Sequence, residues 1–454
     1  MRSPKWWFYQ LGMGLTLLLA GPILLVRRGG HYWPTLRGRL GGGARPQPSV
    51  PAPVPAGEGR PAGSPGTSGL WLHAVSVGEA GVAATLARGL PADLPLVVTT
   101  ITPTGQERAR AAFAGRATVA YLPFDLGFAI RRFFDRAFPA GPPRALVLFE
   151  GDYWPLLLAE AKRRGLAVLV ANGRVGDKGF GRMKKVAPLA RRLLGAVDRF
   201  GVQSEIDRDR LLALGVAPER ITVTGNLKYD TPAPILSPDL SAAVGRLAEG
   251  RTVLVAGSTM AGEEEALLQA TGGLEERALL ILAPRHPERW GEVAALLERS
   301  GRRFVRRSAL SPAGQAAGPI SGRPAVLLLD SLGELAGLYS LASGAFIGGT
   351  LVPTGGHNPL EAARFGVPVA VGPSMHNFAE MADRFDRSGA WRRVADAADL
   401  GAAFRSWLDE PDEARGLGRR GALLVEENRG AVARTLDLIR LLLEDSAPPE
   451  RPAR

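Results

Sequence analysis

Short apolar runs alternating with helix-like stretches, repeated in two series, constrain this chain more than any other feature. The first series reads "LWLHAV", "LPLVVTTI", "RALVLFE", "LAVLVAN" and "RFGVQS", with helical patterns such as 80–90, 105–114 and 154–164 between most of them. The second begins near Arg251 with "RTVLVAGS", "ALLILAP", "PAVLLLD", "GAFIGGT" and "VPVAVGP". Strand then helix, repeated, predicts a parallel sheet, because parallel neighbours need a crossover and crossovers are right-handed. Two series predict two doubly wound, Rossmann-like α/β domains. Between them "TPAPILSPDLS" (231–241) carries three prolines and reads as the interdomain connection.

The 454 residues suffice for two or three domains, and 46% are hydrophobic, which excludes a disordered chain. No cysteine is present, so disulfides, thiolate metal sites and cysteine nucleophiles are excluded. Five histidines argue against a dense histidine metal cluster. The formal charge of +12 calls for an anionic partner. Aromatic-basic interleaving is lacking, so lipid or phosphate is expected and nucleic acid is not.

The N-terminal run "WWFYQLGMGLTLLLAGPILLV" (6–26) has about the length needed to cross a bilayer, with Trp6, Trp7 and Tyr9 suited to the interfacial belt. It is long for a signal peptide, and no small-x-small cleavage site follows at once. Arg27, Arg28, Arg37 and Arg39 follow it, against Arg2 and Lys5 before it, which places the bulk of the chain in the cytoplasm. A monotopic, partly inserted anchor fits nearly as well. The expected order is an anchor (1–40), a Pro/Gly-rich linker (41–69), an acceptor-binding domain (70–232) and a donor-binding domain (233–430). A C-terminal segment (431–454) follows, an amphipathic helix over about 431–443 and then a disordered tail.

One position opens the question of chemistry. In "GLWLHAVSVGEAG" a strand breaks at Ser76-Val77-Gly78, and Glu79 stands in the first turn of the helix that follows. An acid there complements the macrodipole, worth about 0.3–1 kcal/mol. Strand-to-helix turns also form the ligand crevice of an α/β sheet, so Glu79 could equally face a substrate.

Ordered motifs bear on that choice. "LWLHAVSVGE" (70–79), "VTTITPTGQERAR" (98–110), "YLPFD" (121–125), "WP" (154–155), "QSEIDRDRLLALG" (203–215) and "VTGNLKYD" (223–230) occur in the first series. "VAGSTMAGEEE" (255–265), "LAPRHPERW" (282–290) and "IGGTLVPTGGHNPLEAARFGVPVAVGP" (347–373) occur in the second. Together they resemble the Kdo transferases, membrane-bound GT-B enzymes that move 3-deoxy-D-manno-oct-2-ulosonic acid (Kdo) from its CMP derivative onto lipid A precursors. The resemblance runs from about 70 to 390. It departs at "LFEGDYWPL", where the family has a "METELWPN"-like run, at "NGRVG" (172–176), where "NARLS" is usual, and at Met260, where His is common. These departures bear on the acceptor more than on the donor chemistry.

The resemblance implies a GT-B fold, two parallel-sheet domains facing a cleft, behind an N-terminal membrane helix. It implies that Glu79 is the base that deprotonates the acceptor hydroxyl, in an inverting displacement. Ser76, Gly78, Thr104 and Lys228 are assigned to the acceptor side. In the second domain Gly356, His357, Asn358 and Glu361 would hold CMP, with Asn358 as N-cap, Pro359 at the first helical position and Glu361 on the ribose. Arg285 and His286 would meet the phosphate or the Kdo carboxylate. Ser258 and Thr259 would offer donors to an anion, while Glu263 to Glu265 read as a solvated helix start. "DRD" (207–209) mimics a metal motif but lies in a helical stretch, read as a solvated face. CMP carries a single phosphate, so no obligatory metal or cofactor is expected. The basic, partly apolar segments "IRRFFDR" (130–136) and "RMKKVAPLARRLLG" (182–195) suit anionic lipid or the acceptor's phosphates, or are ordinary surface helices. The expected enzyme sits at the inner membrane, catalytic domains on the cytoplasmic face. Its rivals are a GT-B transferase for a UDP-sugar and another lipid, and an inactive tethered binding module.

Overall fold

β-branched and leucine-rich runs with polar punctuation build two all-parallel sheets. The first holds β1 (Leu70–His73), β2 (Leu96–Thr100), β3 (Thr118–Tyr121), β4 (Ala145–Phe149), β5 (Ala167–Gly173), β6 (Arg199–Val202) and β7 (Ile221–Val223), in the order β3-β2-β1-β4-β5-β6-β7. The second holds β8 (Thr252–Thr259), β9 (Ala278–Pro284), β10 (Phe304–Arg306), β11 (Val326–Leu328), β12 (Gly344–Ile347), β13 (Val369–Val371) and β14 (Arg392–Arg393), in the order β10-β11-β9-β8-β12-β13-β14. The computed structural model describes residues 9–16, 19, 33–42, 69–139, 141–310 and 323–445. The chain divides into two units, Met1–Thr231 with Arg429–Arg454, and Pro232–Asn428. The division falls inside the proline-bearing stretch 231–241.

Period-two alternation explains how each strand serves two cores. In β1, Trp71 packs on one face with Phe133, Phe134, Leu146 and Val168. Leu70 and Leu72 pack on the other with Val98, Val147 and Leu169. That second face is closed by the C-terminal helix Ala431–Asp445, whose Leu438, Ile439 and Leu442 are buried in the same cluster. The expectation of a separate C-terminal segment is therefore corrected: the helix is part of the first unit's core. The tail 446–454 lies outside the described residues.

The N-terminal boundary also moves. Residues 33–42, read as the end of an anchor, pack on the first unit. Arg39 is buried, its guanidinium donates to Thr35 Oγ1 and to Ile101 O, and it lies over the Tyr121 and Phe124 rings. It is thus a packing residue rather than a solvated topological signal. Of the apolar run 6–26, residues 9–16 and 19 are described and helical, and the rest lies outside the described residues. Tyr9 donates from its hydroxyl to Asp125 Oδ2 at 2.9 Å. Asp125 also accepts from the N–H groups of Leu156 and Leu157, two orphan donors at the start of helix Pro155–Arg163. Among the described residues no helix is long and apolar enough to cross a membrane. The linker lies mostly outside the described residues.

Candidate active site

In each sheet the strand order reverses beside its first strand, between β1 and β4 in one and between β8 and β12 in the other. Loops leaving the carboxyl ends of the strands part there, and open α/β sheets bind their ligands at that place. The sequence-predicted residues lie at or just beyond the carboxyl ends of the strands in each unit.

In the first unit, Ser76 adopts extended backbone and caps helix Val77–Ala87. Its hydroxyl accepts from Glu79 N and donates to Glu79 Oε1 at 3.0 Å, while Val75 N–H donates to Glu79 Oε2 at 2.8 Å. This reciprocal Ser-x-x-Glu pattern is what the bare helix start needs. Yet the carboxyl is not a solvated cap. Burial pushes its pKa above the usual carboxylate range, and the nearby Glu150 charge acts in the same direction. The Val75 and Ser76 hydrogen bonds and the charge of His73 pull it back only in part. A half-buried carboxyl with raised proton affinity is suited to accept a proton. Gly78 beside it is exposed, and a Cβ there would meet only Ser76 Oγ at 4.0 Å, so no internal packing requires glycine.

Across the switch point, β4 is followed at once by Glu150, held at φ 59, a left-handed conformation uncommon outside glycine. Its carboxylate accepts from Lys228 Nζ at 2.9 Å. Lys228 is brought there by Asn172 at the end of β5, itself at φ 55 and fully buried, whose Oδ1 accepts from Leu227 N at 2.9 Å. Two strained, non-glycine residues on adjacent strand ends mark a region organised for something other than stability. His73 ends β1, wholly buried, with Nδ1 3.0 Å from Thr99 Oγ1 and Nε2 3.6 Å from Asp152 Oδ2. Asp152 accepts from Trp154 Nε1 at 2.8 Å. Thr104 is exposed, on helix Pro103–Ala112, whose start packs against the 75–76 turn, and its side chain makes no hydrogen bond with the described residues.

In the second unit the loops after β8 and β12 approach backbone to backbone. A Cβ on Gly348 would lie 2.3 Å from Ser258 O, and Ser258 is itself at φ 58. Here one expectation fails. Glu263 and Glu264 are fully buried. Glu263 accepts four backbone N–H groups: Met260 and Gly349 on one oxygen, Thr350 and Leu351 on the other, at 2.6–3.0 Å. Glu264 accepts from Arg289 Nη1 at 2.7 Å and from the Thr259 hydroxyl at 2.8 Å. These acids tie the loops together, so the Thr259 hydroxyl serves the interior. "DRD" is corrected similarly: Asp207 is buried, accepting from Ser204 Oγ and Val175 N.

The glycine loop is held in shape by Gly356 N–H donating to Gly349 O and by Gly355 N–H donating to Ser374 Oγ. Gly356, at φ 77, has no room for a side chain, because a Cβ would meet Met375 Sδ at 2.5 Å. His357 follows, half-buried, with Nε2 lacking a hydrogen-bond partner among the described residues. Burial, then the charges of Arg285 and His286, push its pKa down to about 4, so it is neutral near pH 7. Arg285 is exposed, anchored by its N–H to Thr259 O, and its guanidinium makes no hydrogen bond or ion pair among the described residues. His286 is also exposed, 3.7 Å from Glu288. Asn358 Oδ1 accepts from Leu360 N at 3.2 Å, but the short helix Leu360–Ala363 begins at Leu360 with Pro359 in the cap position, so the expected cap at Asn358 and helical Pro359 are corrected by one residue. Glu361 is half-buried, its charge bearing on the buried Tyr339 phenol. The Arg285 guanidinium, His286 and the His357 ring thus lie close enough beside the glycine loop for the first two to bear on the third.

Two units, each an all-parallel Rossmann-like sheet with polar groups at its switch point, make a GT-B-like fold, and solved structures share it. A glycosyltransferase from Rickettsia africae superposes at TM-score 0.57, covering 83% of this chain and 99% of that one at 12% identity, a likeness of fold alone. A family model described as 3-deoxy-D-manno-octulosonic-acid transferase (kdotransferase) matches residues 36–231. The 3-deoxy-D-manno-octulosonic acid transferase of Haemophilus influenzae is 34% identical, over 84% of this chain and 89% of its own length. That of Bordetella pertussis is also 34% identical, over 94% and 99%. The chain belongs to the 3-deoxy-D-manno-octulosonic acid transferase family, a family of glycosyltransferases.

Proposed function

We propose that this enzyme transfers Kdo from CMP-Kdo to a lipid A precursor, with inversion, in lipopolysaccharide synthesis. The observation that carries the reading is Glu79: a half-buried carboxyl of raised proton affinity at the switch-point edge of the first sheet, within reach of the charge of Glu150, which Lys228 pairs. The names of the relatives support the sugar. Glu79 takes the proton of an acceptor hydroxyl as its oxygen bonds to the anomeric carbon. The bond to the CMP phosphate breaks, and its electron pair leaves with CMP. Arg285 meets the departing phosphate or the Kdo carboxylate, His357 offers a neutral ring nitrogen, and the loop around Gly356 with Asn358, Glu361 and Ser258 holds the nucleotide. Lys228, paired with Glu150, places a cation on the acceptor side, to which Ser76, Gly78 and Thr104 also belong. No divalent metal is needed, so chelation should leave the rate unchanged. The apolar N-terminal run would keep the enzyme at the cytoplasmic face of the inner membrane, where such a lipid is presented.

The test is incubation of the purified chain with CMP-Kdo and a tetraacyl disaccharide lipid, read by mass spectrometry. Glu79→Gln should lower turnover by about 10²–10⁴-fold, the contribution of a positioned base, with CMP affinity retained. CMP should inhibit and UDP should not. Inhibition by UDP alone would assign the donor to another class, and unchanged turnover in Glu79→Gln would remove the base.

A further inference from the structure

Behind the catalytic edge of the first unit lies a feature that the transfer chemistry leaves unused. Helices Asp177–Lys185 and Ala187–Gly195 meet at a break at Val186 and leave an open pocket of about 210 Å³. Its lining is apolar, formed by Met183, Val186, Leu189, Leu193 and Leu194, with the Tyr153 ring as one wall. Val186 and Leu189 remain about half exposed, at 49% and 48%. The two helices also carry Lys178, Arg182, Lys184, Lys185, Arg191 and Arg192, with Asp177 their single acid, and Asp177 is paired with Arg210. An apolar slot between two helices that together carry six cations matches one kind of molecule, an anionic headgroup with an alkyl chain.

Tyr153 narrows the choice of occupant. It follows Asp152, which lies 3.6 Å from His73, and sits three residues from Glu150, whose charge acts on Glu79. A chain in this slot would rest against the segment 150–153 that also carries Glu150. We propose that the pocket takes one acyl chain of the glycolipid acceptor, with the cations of 178–192 meeting its phosphates, so that acyl binding positions the hydroxyl for transfer. This rests on the acceptor reading above. Each methylene buried adds roughly fourfold to affinity, so even a short stretch of chain selects acylated over bare acceptor.

The experiment compares kcat/KM for a tetraacyl disaccharide bisphosphate with that for its fully deacylated backbone, in wild type, Leu189→Trp and Val186→Glu. Both substitutions fall on half-exposed positions, which keeps folding intact. Wild type should prefer the acylated acceptor by about tenfold or more, and both variants should bring that ratio toward one. A wild-type ratio near one, or a ratio the variants leave unmoved, overturns the pocket while leaving Kdo transfer standing. Transfer to neither acceptor overturns the function reading instead. Independently, a tetraacyl bisphosphate with a terminal diazirine on one chain should label residues 183–194 of the wild-type protein. Label elsewhere, equal labelling by a diazirine-tagged phosphatidylglycerol, or labelling only after residues 1–32 are removed each overturns the assignment.

Discussion

Glu79 does two jobs at once. It closes the start of its helix through Val75 N and Ser76 Oγ, and it keeps a proton affinity above that of a free carboxylate. The active form of a base is the deprotonated one, so the acidic limb of kcat/KM should lie above the ordinary glutamate value of about 4.3. The stability effect has the opposite sign. A raised folded-state pKa means a contribution fully present below the unfolded carboxyl's range and lost as pH rises through the folded value. Glu79→Gln, which keeps an acceptor for Val75 N–H, should therefore unfold no more readily than wild type at neutral pH, as thermal melts will read. Glu263 behaves differently under truncation. Glu263→Ala strands two buried and two partly buried N–H groups, the buried ones at about 1–3 kcal/mol each before relaxation, so a loss of about 2 kcal/mol or more is expected in denaturant titrations. This contrast shows what the sequence conceals. Glu79 was legible because a strand, a turn and an acid follow in order. Glu263 and Glu264 were not, because "GEEE" has the composition of a solvated helix start and their partners lie 86 residues away in Gly349 or 25 away in Arg289. Glu150 and Asn172 were hidden for a related reason: their left-handed backbone leaves no mark in side-chain chemistry.

At the scale of strands and loops, alternation carried far. All five runs of each series form strands, and the helices between them follow. The strands that escaped, β3, β7, β10 and β14, are two to four residues long and sit toward or at the sheet edges, where hydrophobic period has little room to register. The switch points follow from strand order, which no local pattern specifies. Their close loop packing yields a sharp test. Gly348→Ala would drive a Cβ against the Ser258–Thr259 backbone, with contacts of 2.3–2.6 Å to unyielding atoms. Loss of CMP binding together with destabilisation of several kcal/mol is expected. Gly78→Ala meets open space and should fold normally, gaining up to about 1 kcal/mol of helix stability. A drop in transfer without a drop in melting temperature would show that substrate approaches the backbone there.

For the whole molecule, the two units differ in how the chain composes them. The second is one continuous stretch, Pro232–Asn428, whereas the first needs Arg429–Arg454 in addition to its N-terminal part. Expressed alone, 232–428 should melt cooperatively and bind CMP. A chain ending at Asn428 should lose the first unit, since it would uncover the sheet face that Leu438, Ile439 and Leu442 close, at about 1.5–3 kcal/mol for each side chain. Circular dichroism and proteolysis of the two fragments will separate these outcomes.

The returning helix also dictates an order of events on the ribosome. Residues 69–231 emerge early, yet their sheet stays uncapped until the helix Ala431–Asp445 has been made, while the later unit is already complete. At roughly 5–20 residues per second the exposed face waits on the order of ten seconds or more. For a nascent chain bearing an apolar leading segment, that interval is when chaperones or the bilayer itself must shield the unfinished half.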